Sequence, residues 1–275
     1  RPQDLGALIY AAVCREHFEP ATACHVAAEV GVREDAAVHD VSNACLGVLN
    51  GIVDVANRIE LGQIRAGMVV SCESAREIVD TMIERMLRER DMAVFRTALA
   101  TLTGGSAAAA VVLTDGSFGS GRQTRLVGGV TMADPRHHEL CRWGLEPQPG
   151  PRRAESGELT YRQLMHTDSV AVLEHGVALG KRCWDAFLEE LGWSGVDRTV
   201  CHQVGAAHRE TILQLLGLAQ ERDFVAYDYL GNTGTVALPL AAALAAEREF
   251  LHPGHRVGLL GIGSGLNCMM LGVEW

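Results

Sequence analysis

The sequence predicts an α/β protein whose mostly parallel or mixed sheet is covered by helices. Three observations carry this. Short apolar runs alternate with segments of helical periodicity, the pattern that builds strand–helix–strand units. The strand runs are continuously apolar, as strands buried on both faces are. Aromatic residues make up only 5% of a chain that is 48% hydrophobic and holds 30 glycines, and alanine runs recur at Ala107–Ala110 and Ala241–Ala246. Small residues at that density suit helices packed closely on a sheet.

In chain order, Leu8–Val13 reads as a buried strand and Pro20–Glu29 as a helix opened by proline. Ala37–Val41 is a short strand leading into Asn43–Leu61, where Leu46, Leu49, Ile52 and Val55 recur at helical spacing. Gly67–Ser71 is the next strand and Ala75–Arg90 a helix charged on one face. Ala107–Leu113 is a strand closed by the turn Asp115-Gly116. Pro147–Glu158 is a proline-rich loop and Leu164–Leu191 a long helical stretch. Val196–Gln203 is a strand running into the helix Ala206–Leu216, Phe224–Tyr227 a short strand, and Thr235–Glu247 an alanine-rich helix. Two apolar strands, Arg256–Leu260 and Asn267–Val273, close the chain around Gly261-Ile262-Gly263-Ser264-Gly265. The 275 residues correspond to about 1.8 average domains. Two halves, 1–120 and 121–275, each end in a helix followed by apolar strands, a sign of internal duplication.

A net charge of −10 argues against a nucleic-acid partner, because neutralising phosphates needs clustered Lys and Arg. The eight cysteines form no CxxC pair, and several sit in apolar runs. With no signal peptide, they read as reduced thiols of a soluble, cytoplasmic protein. No stretch of ~20 apolar residues free of charge spans a membrane.

The chemistry concentrates in three places. Asp40-Val41-Ser42-Asn43-Ala44-Cys45-Leu46-Gly47 sets a cysteine where a strand turns into a long helix. A helix N-terminus there lowers a thiol pKa, and its free N–H groups can hold an oxyanion. Val200-Cys201-His202-Gln203 ends a strand, and Tyr229-Leu230-Gly231-Asn232-Thr233-Gly234 is a glycine-flanked loop before a helix. Taken singly, Cys45 reads equally as a small core thiol, His202 as a core histidine and Asn232 as a turn residue. Other segments carry less. His137-His138-Glu139-Leu140-Cys141 fits no zinc spacing, and the closing glycine run lacks the dinucleotide-binding spacing. His166 and His175 fall on the long helix, and Arg85–Arg90 reads as a solvated face.

Together, Asn43-Ala44-Cys45, His202-Gln203, Gly231-Asn232-Thr233 and Gly261 to Asn267 resemble the thiolase superfamily, in the beta-ketoacyl-ACP synthase III branch. Within it, His17-Phe18-Glu19-Pro20-Ala21-Thr22-Ala23, Gly261 to Cys268 and the ending Val273-Glu274-Trp275 are most similar to OleA-type condensing enzymes of olefin biosynthesis. The resemblance implies a thiolase fold of two βαβαβαββ halves in α/β/α/β/α layers, the first half (1–120) lacking its N-terminal part. It implies an acyltransferase of lipid metabolism and fatty acid biosynthesis, joining two acyl-CoAs by Claisen condensation. Cys45 would take the acyl group, and His202 and Asn232 would stabilise the enolate of the second thioester. The backbone N–H groups of Cys45 and Ser264 would form the oxyanion hole. Joining two ordinary acyl thioesters requires removal of an unactivated α-proton, hence a positioned carboxylate. The resemblance assigns that role to Glu19, reaching into the partner's site of a homodimer. It implies no metal or redox cofactor, only coenzyme A or carrier-protein thioesters as substrates, and assigns no CoA-contact residue. Two other readings stay open: a decarboxylative synthase III using a malonyl thioester, and a non-catalytic thiolase-fold partner subunit or acyl carrier.

Overall fold

The computed structural model describes residues 1–119, 124–149 and 159–275. Strands β1 (Ala7–Ala11), β2 (Ala37–Val41), β3 (Ala66–Glu73) and β4 (Ala107–Thr114) form one sheet in the order β2-β1-β3-β4. Within it β1 runs parallel to β2 and β3, and β4 antiparallel to β3. A second sheet has the order β5-β10-β9-β8, from β5 (Arg125–Ala133), β8 (Arg198–Cys201), β9 (Arg256–Gly263) and β10 (Asn267–Glu274). Here β8 and β9 are parallel, and β10 is antiparallel to both neighbours. Strands β6 (Cys141–Pro149) and β7 (Leu159–Thr167) pair with each other as a separate antiparallel ladder. The helices are α1 (Thr22–Val30), α2 (Gly47–Glu60), α3 (Arg76–Glu89), α4 (Met92–Leu102), α5 (Ser169–Leu191), α6 (Ala206–Leu216), α7 (Tyr227–Leu230) and α8 (Ala237–Glu247).

The strands' apolar continuity is used on both faces. Ile9 and Ala11 of β1 pack inward on Leu46, Leu49 and Val55 at the start and along the length of α2, on Leu238 and Ala241 of α8, and on Leu259, Met269 and Leu271 of the second sheet. The alternate residues Leu8 and Tyr10 face Ala23 and Ala27 of α1. On the second sheet, Leu260, Cys268 and Met270 point the other way, onto Leu179, Cys183 and Phe187 of α5 and Leu213 and Leu216 of α6. The layers are therefore α1, first sheet, α2 with α8, second sheet, α5 with α6. Each fully buried Leu, Ile or Phe in this stack contributes about 1.5–3 kcal/mol. Among the described residues no helix is long and apolar enough to cross a membrane.

Several expectations need correction. The long helical stretch from Leu164 is two elements, with Leu164 to Thr167 closing β7 and the helix starting at Ser169, where the Asp168 carboxylate accepts the Ala171 N–H. His166 consequently lies on a strand; His175 is on α5 and stacks on His137, ring centroids 3.8 Å apart. Pro147 to Pro149 belong to β6, and the remainder of the expected loop, 150–158, lies outside the described residues. Phe224 to Tyr227 is no strand: Asp223 makes an isolated bridge to Thr199, and Tyr227 opens α7. The boundary expected at 120/121 lies outside the described residues.

Candidate active site

The turn that presents Cys45 is built by its neighbours. β2 ends at Val41 and α2 begins at Gly47, so Cys45 stands two residues before the helix. Ala44 takes φ of 44°, a left-handed conformation that costs a non-glycine residue roughly 1–2 kcal/mol. Hydrogen bonds from Leu46 N–H to Asn43 O (2.9 Å) and from Gly47 N–H to Ala44 O (3.4 Å) close the turn. The Asn43 side chain holds it from both sides, donating to Asn50 Oδ1 (2.8 Å) and accepting from Asn267 Nδ2 (3.1 Å). Asn267 Nδ2 also reaches the Ser264 carbonyl at 3.3 Å, so one amide ties the cysteine turn to the closing glycine run. Thr235 Oγ1 accepts the Val48 N–H at 2.8 Å, tying in the segment after Asn232.

The glycines of the closing run answer a packing demand. A Cβ at Gly261 would lie 2.6 Å from both Leu46 Cδ2 and Leu49 Cδ1. One at Gly263 would lie 3.4 Å from the backbone nitrogen of Cys45. The run passes directly over the cysteine turn and continues into strand β10.

His202 follows the last residue of β8, and its N–H donates to Leu260 O at 2.8 Å. The next residue, Gln203, accepts from the N–H groups of Ala226 (2.8 Å) and Tyr227 (2.7 Å) and donates to Phe224 O, clamping the chain leading to α7. Asn232 is fixed by backbone bonds, Asn232 N–H to Thr103 O and Gly105 N–H to Asn232 O. Its side-chain oxygen accepts the Gly234 N–H at 3.0 Å, which leaves the amide nitrogen as the donor.

Cys45, His202, Asn232 and Ser264 all line one cavity of about 920 Å³. His202 is buried, and neither ring nitrogen has a hydrogen-bond partner. Burial lowers its pKa to about 4, so the ring is neutral near pH 7 and offers one N–H donor and one acceptor. Cys45 departs from expectation. Enclosure, with the neighbouring Cys141 and Glu73, pushes its thiol up to about 12. Near pH 7 the group is therefore a thiol.

Glu19 is not brought to this cavity within one chain. It lies exposed on the β1–α1 loop beside Phe18, which is 93% exposed. Sequence reasoning missed other residues that line the cavity. Glu73 is buried and accepts the N–H groups of Val13 (2.9 Å) and Cys14 (3.1 Å). Thr101 and Thr233 bury hydroxyls without partners. Cys141, which lines the cavity with Cys45, Cys201 and Cys268, contacts Thr167 Oγ1 at 3.4 Å. Of these, Thr233, adjoining Asn232, and Cys141, closing the stretch weighed above for metal binding, carried a signal in sequence. Among the described residues, no three His, Cys, Asp or Glu side chains converge as metal ligands would.

Residues 188–275 match the family model described as 3-Oxoacyl-(acyl-carrier-protein (ACP)) synthase III C terminal. An acyl-CoA:acyl-CoA alkyltransferase of Shewanella oneidensis is 53% identical over 276 residues, covering 99% of this chain and 77% of the relative. One of Xanthomonas campestris pv. campestris is 32% identical over 279 residues, covering 99% and 76%. The crystal structure of a cysteine-to-serine variant of Xanthomonas campestris OleA, with bound lauric acid and lauroyl-CoA, superposes with a TM-score of 0.89 at 32% identity. That match covers 100% of this chain and 77% of the other. Further structures of the same Xanthomonas protein carry substitutions at that cysteine, at one glutamate and at one histidine. There the glutamate precedes the cysteine by the interval that separates Glu19 from Cys45 here. Sharing more than half its residues with one alkyltransferase across nearly its whole length, and its fold with the other, the chain belongs to the OleA-type family of the thiolase superfamily, in the synthase III branch.

Proposed function

We propose that this chain joins two acyl-CoA thioesters in a non-decarboxylative Claisen condensation that passes through an acyl thioester on Cys45. The observation that carries the reading is the meeting of Cys45, a neutral and unpartnered His202 and the Asn232 amide donor on one large cavity. In the first half-reaction the Cys45 sulfur attacks the acyl-CoA carbonyl, His202 accepts the thiol proton, and coenzyme A leaves with a proton as its thiol. The backbone N–H groups of Cys45 and Ser264 hold the oxyanion. In the second, the α-proton of another acyl-CoA passes to Glu19, and the enolate oxygen is held by His202 and Asn232. The α-carbon attacks the Cys45 thioester, a carbon–carbon bond forms, the carbon–sulfur bond breaks, and the thiolate recovers a proton. The products are a β-ketoacyl-CoA and free coenzyme A.

Glu19 acts across a homodimer, because within one chain it is exposed at the tip of its loop and does not line the cavity. Matching spacing of a glutamate and a cysteine in the Xanthomonas relative supports this assignment. Work in the cytoplasm on fatty acyl thioesters, leading toward olefin biosynthesis, follows from the same reading. Glu19→Ala tests it against decarboxylation of a malonyl thioester: it should abolish condensation while Cys45 still acylates. Undiminished turnover of two acyl-CoAs by Glu19→Ala would refute the base assignment. Failure of Cys45 to acquire any acyl adduct, read by mass spectrometry, would favour a non-catalytic subunit instead.

A further inference from the structure

The buried face of α5 carries two glycines one turn apart, Gly176 and Gly180, in a stripe that otherwise holds Leu179, Cys183, Trp184 and Phe187. A glycine inside a helix costs about 1 kcal/mol relative to alanine, so two on one face call for a steric reason. The cavity supplies it. Both glycines line it, and so do Ile212 and Leu216 of α6 and Cys268 and Met270 of β10. A Cβ at Gly176 would lie 2.9 Å from Ile262 Cδ1, and one at Gly180 would lie 3.0 Å from Ile212 Cδ1. Ile262 also lines the cavity, so any larger side chain at either position takes volume from it, directly or by displacing an isoleucine. The same cavity holds His202, more than nine-tenths buried with both ring nitrogens unpartnered, so the space is one a ligand completes.

The two glycines differ in depth. Ile262, beside Gly176, precedes Gly263, which lies against the Cys45 backbone. Gly180 faces Ile212 on α6, and four residues of helix set it about 6 Å further along the axis. We propose that Gly176 and Gly180 set the length of the acyl chain that the cavity accepts, Gly176 close to the thioester and Gly180 further along the chain. The inference rests on the reading that Cys45 takes up an acyl group. Hydrocarbon chains without polar substituents are the class that fits, since Ile212, Leu216, Met270 and Cys268 offer the chain dispersion contacts but no charged partner.

The test offers straight-chain acyl-CoAs, from hexanoyl to palmitoyl, to the full chain and reads Cys45 acylation by intact mass. Gly180→Val should lower the ratio of palmitoyl to hexanoyl acylation by about tenfold or more, since a methylene's worth of pocket discriminates by that much. Gly176→Val should move the cut-off to chains shorter than those Gly180→Val excludes. Ile212→Ala, which removes atoms from the far wall, should raise the palmitoyl ratio. Should the valine variants fail to fold by circular dichroism, Gly180→Ala and Ile212→Ala keep the test, with smaller shifts of opposite sign. Unchanged ratios in the folded variants would overturn the assignment, as would a shorter cut-off for Gly180→Val than for Gly176→Val. If the unsubstituted protein takes no acyl group from any of these donors, the Cys45 reading itself fails, and the inference with it.

Discussion

The pH dependence of Cys45 acylation separates two ways of making the nucleophile. With the thiol pushed up to about 12, only about one molecule in a hundred thousand carries a thiolate at pH 7, since each unit is a factor of ten. Reaction through that preformed thiolate would speed up about tenfold per pH unit between pH 6 and 9. His202 offers the other route. With its pKa lowered to about 4, its neutral ring is almost fully present above pH 5 and can accept the proton as sulfur attacks. The first turnover with lauroyl-CoA, quenched in acid and read by intact mass, should therefore rise with a midpoint near pH 4 and stay level to pH 9. His202→Ala should slow acylation at pH 7 by roughly 10²–10⁴-fold and restore a tenfold rise per unit. A tenfold-per-unit rise in the unsubstituted protein between pH 6 and 9, or a level profile in His202→Ala, refutes proton acceptance by His202.

The same histidine links stability to pH. An unfolded imidazole titrates near 6.5 and the buried one near 4, so below pH 6.5 protons bind the unfolded chain first. The His202 contribution is complete above pH 6.5 and is lost at up to about 1.4 kcal/mol per unit as pH falls toward 4; His202→Gln should flatten that part of a urea-denaturation series. Arg209 donates to the fully buried Asp223 at 2.7 Å, while Asp223 also accepts from Thr199 Oγ1 and the Cys201 N–H. Arg209→Met should leave an uncompensated buried carboxylate and cost about 3–5 kcal/mol in urea unfolding, and a loss below about 1 kcal/mol would contradict that account.

What was legible in the sequence was local. Ala37–Val41 and Ala206–Leu216 read correctly to the residue because their boundaries are marked locally, the strand by Asp35 before it and Ser42-Asn43 after it, the helix by Gly205 and Gly217. β6 and β7 were illegible for the opposite reason: Arg142, Glu146, Arg162 and Gln163 interrupt their apolar pattern, and the pair is held by each other and by α3 and α4. α4 escaped notice because Met92, Phe95 and Leu99 are exposed while Val94 and Ala98 are buried, which leaves no polar face to mark a helix.

The site divides along the same line. Position came from motif: the cysteine turn, the strand end at His202 and the Asn232 loop each have a local sequence cause, and the fold brings them to one cavity. Protonation did not, because it depends on what encloses each group. The helix N-terminus argument forecast a lowered thiol at Cys45, whereas the cavity wall, Cys141 and Glu73, which arrive from elsewhere in the chain, push it up. Glu19 shows the limit from the other side. Its loop is held at one end by Glu73, which accepts the N–H groups of Val13 and Cys14, and at the other by Asp40, which accepts those of Thr22 and Ala23. Two carboxylates thus fix the ends of a segment whose tip, with Phe18 and Glu19, stands in solvent. An anchored loop with an exposed aromatic and an exposed carboxylate at its tip suits a group that acts outside its own chain. On the proposed function, the acylating half of the chemistry is drawn from the chain's own cavity, while the proton-abstracting half is carried by the exposed tip of a loop of which only the start, at Val13, lines that cavity.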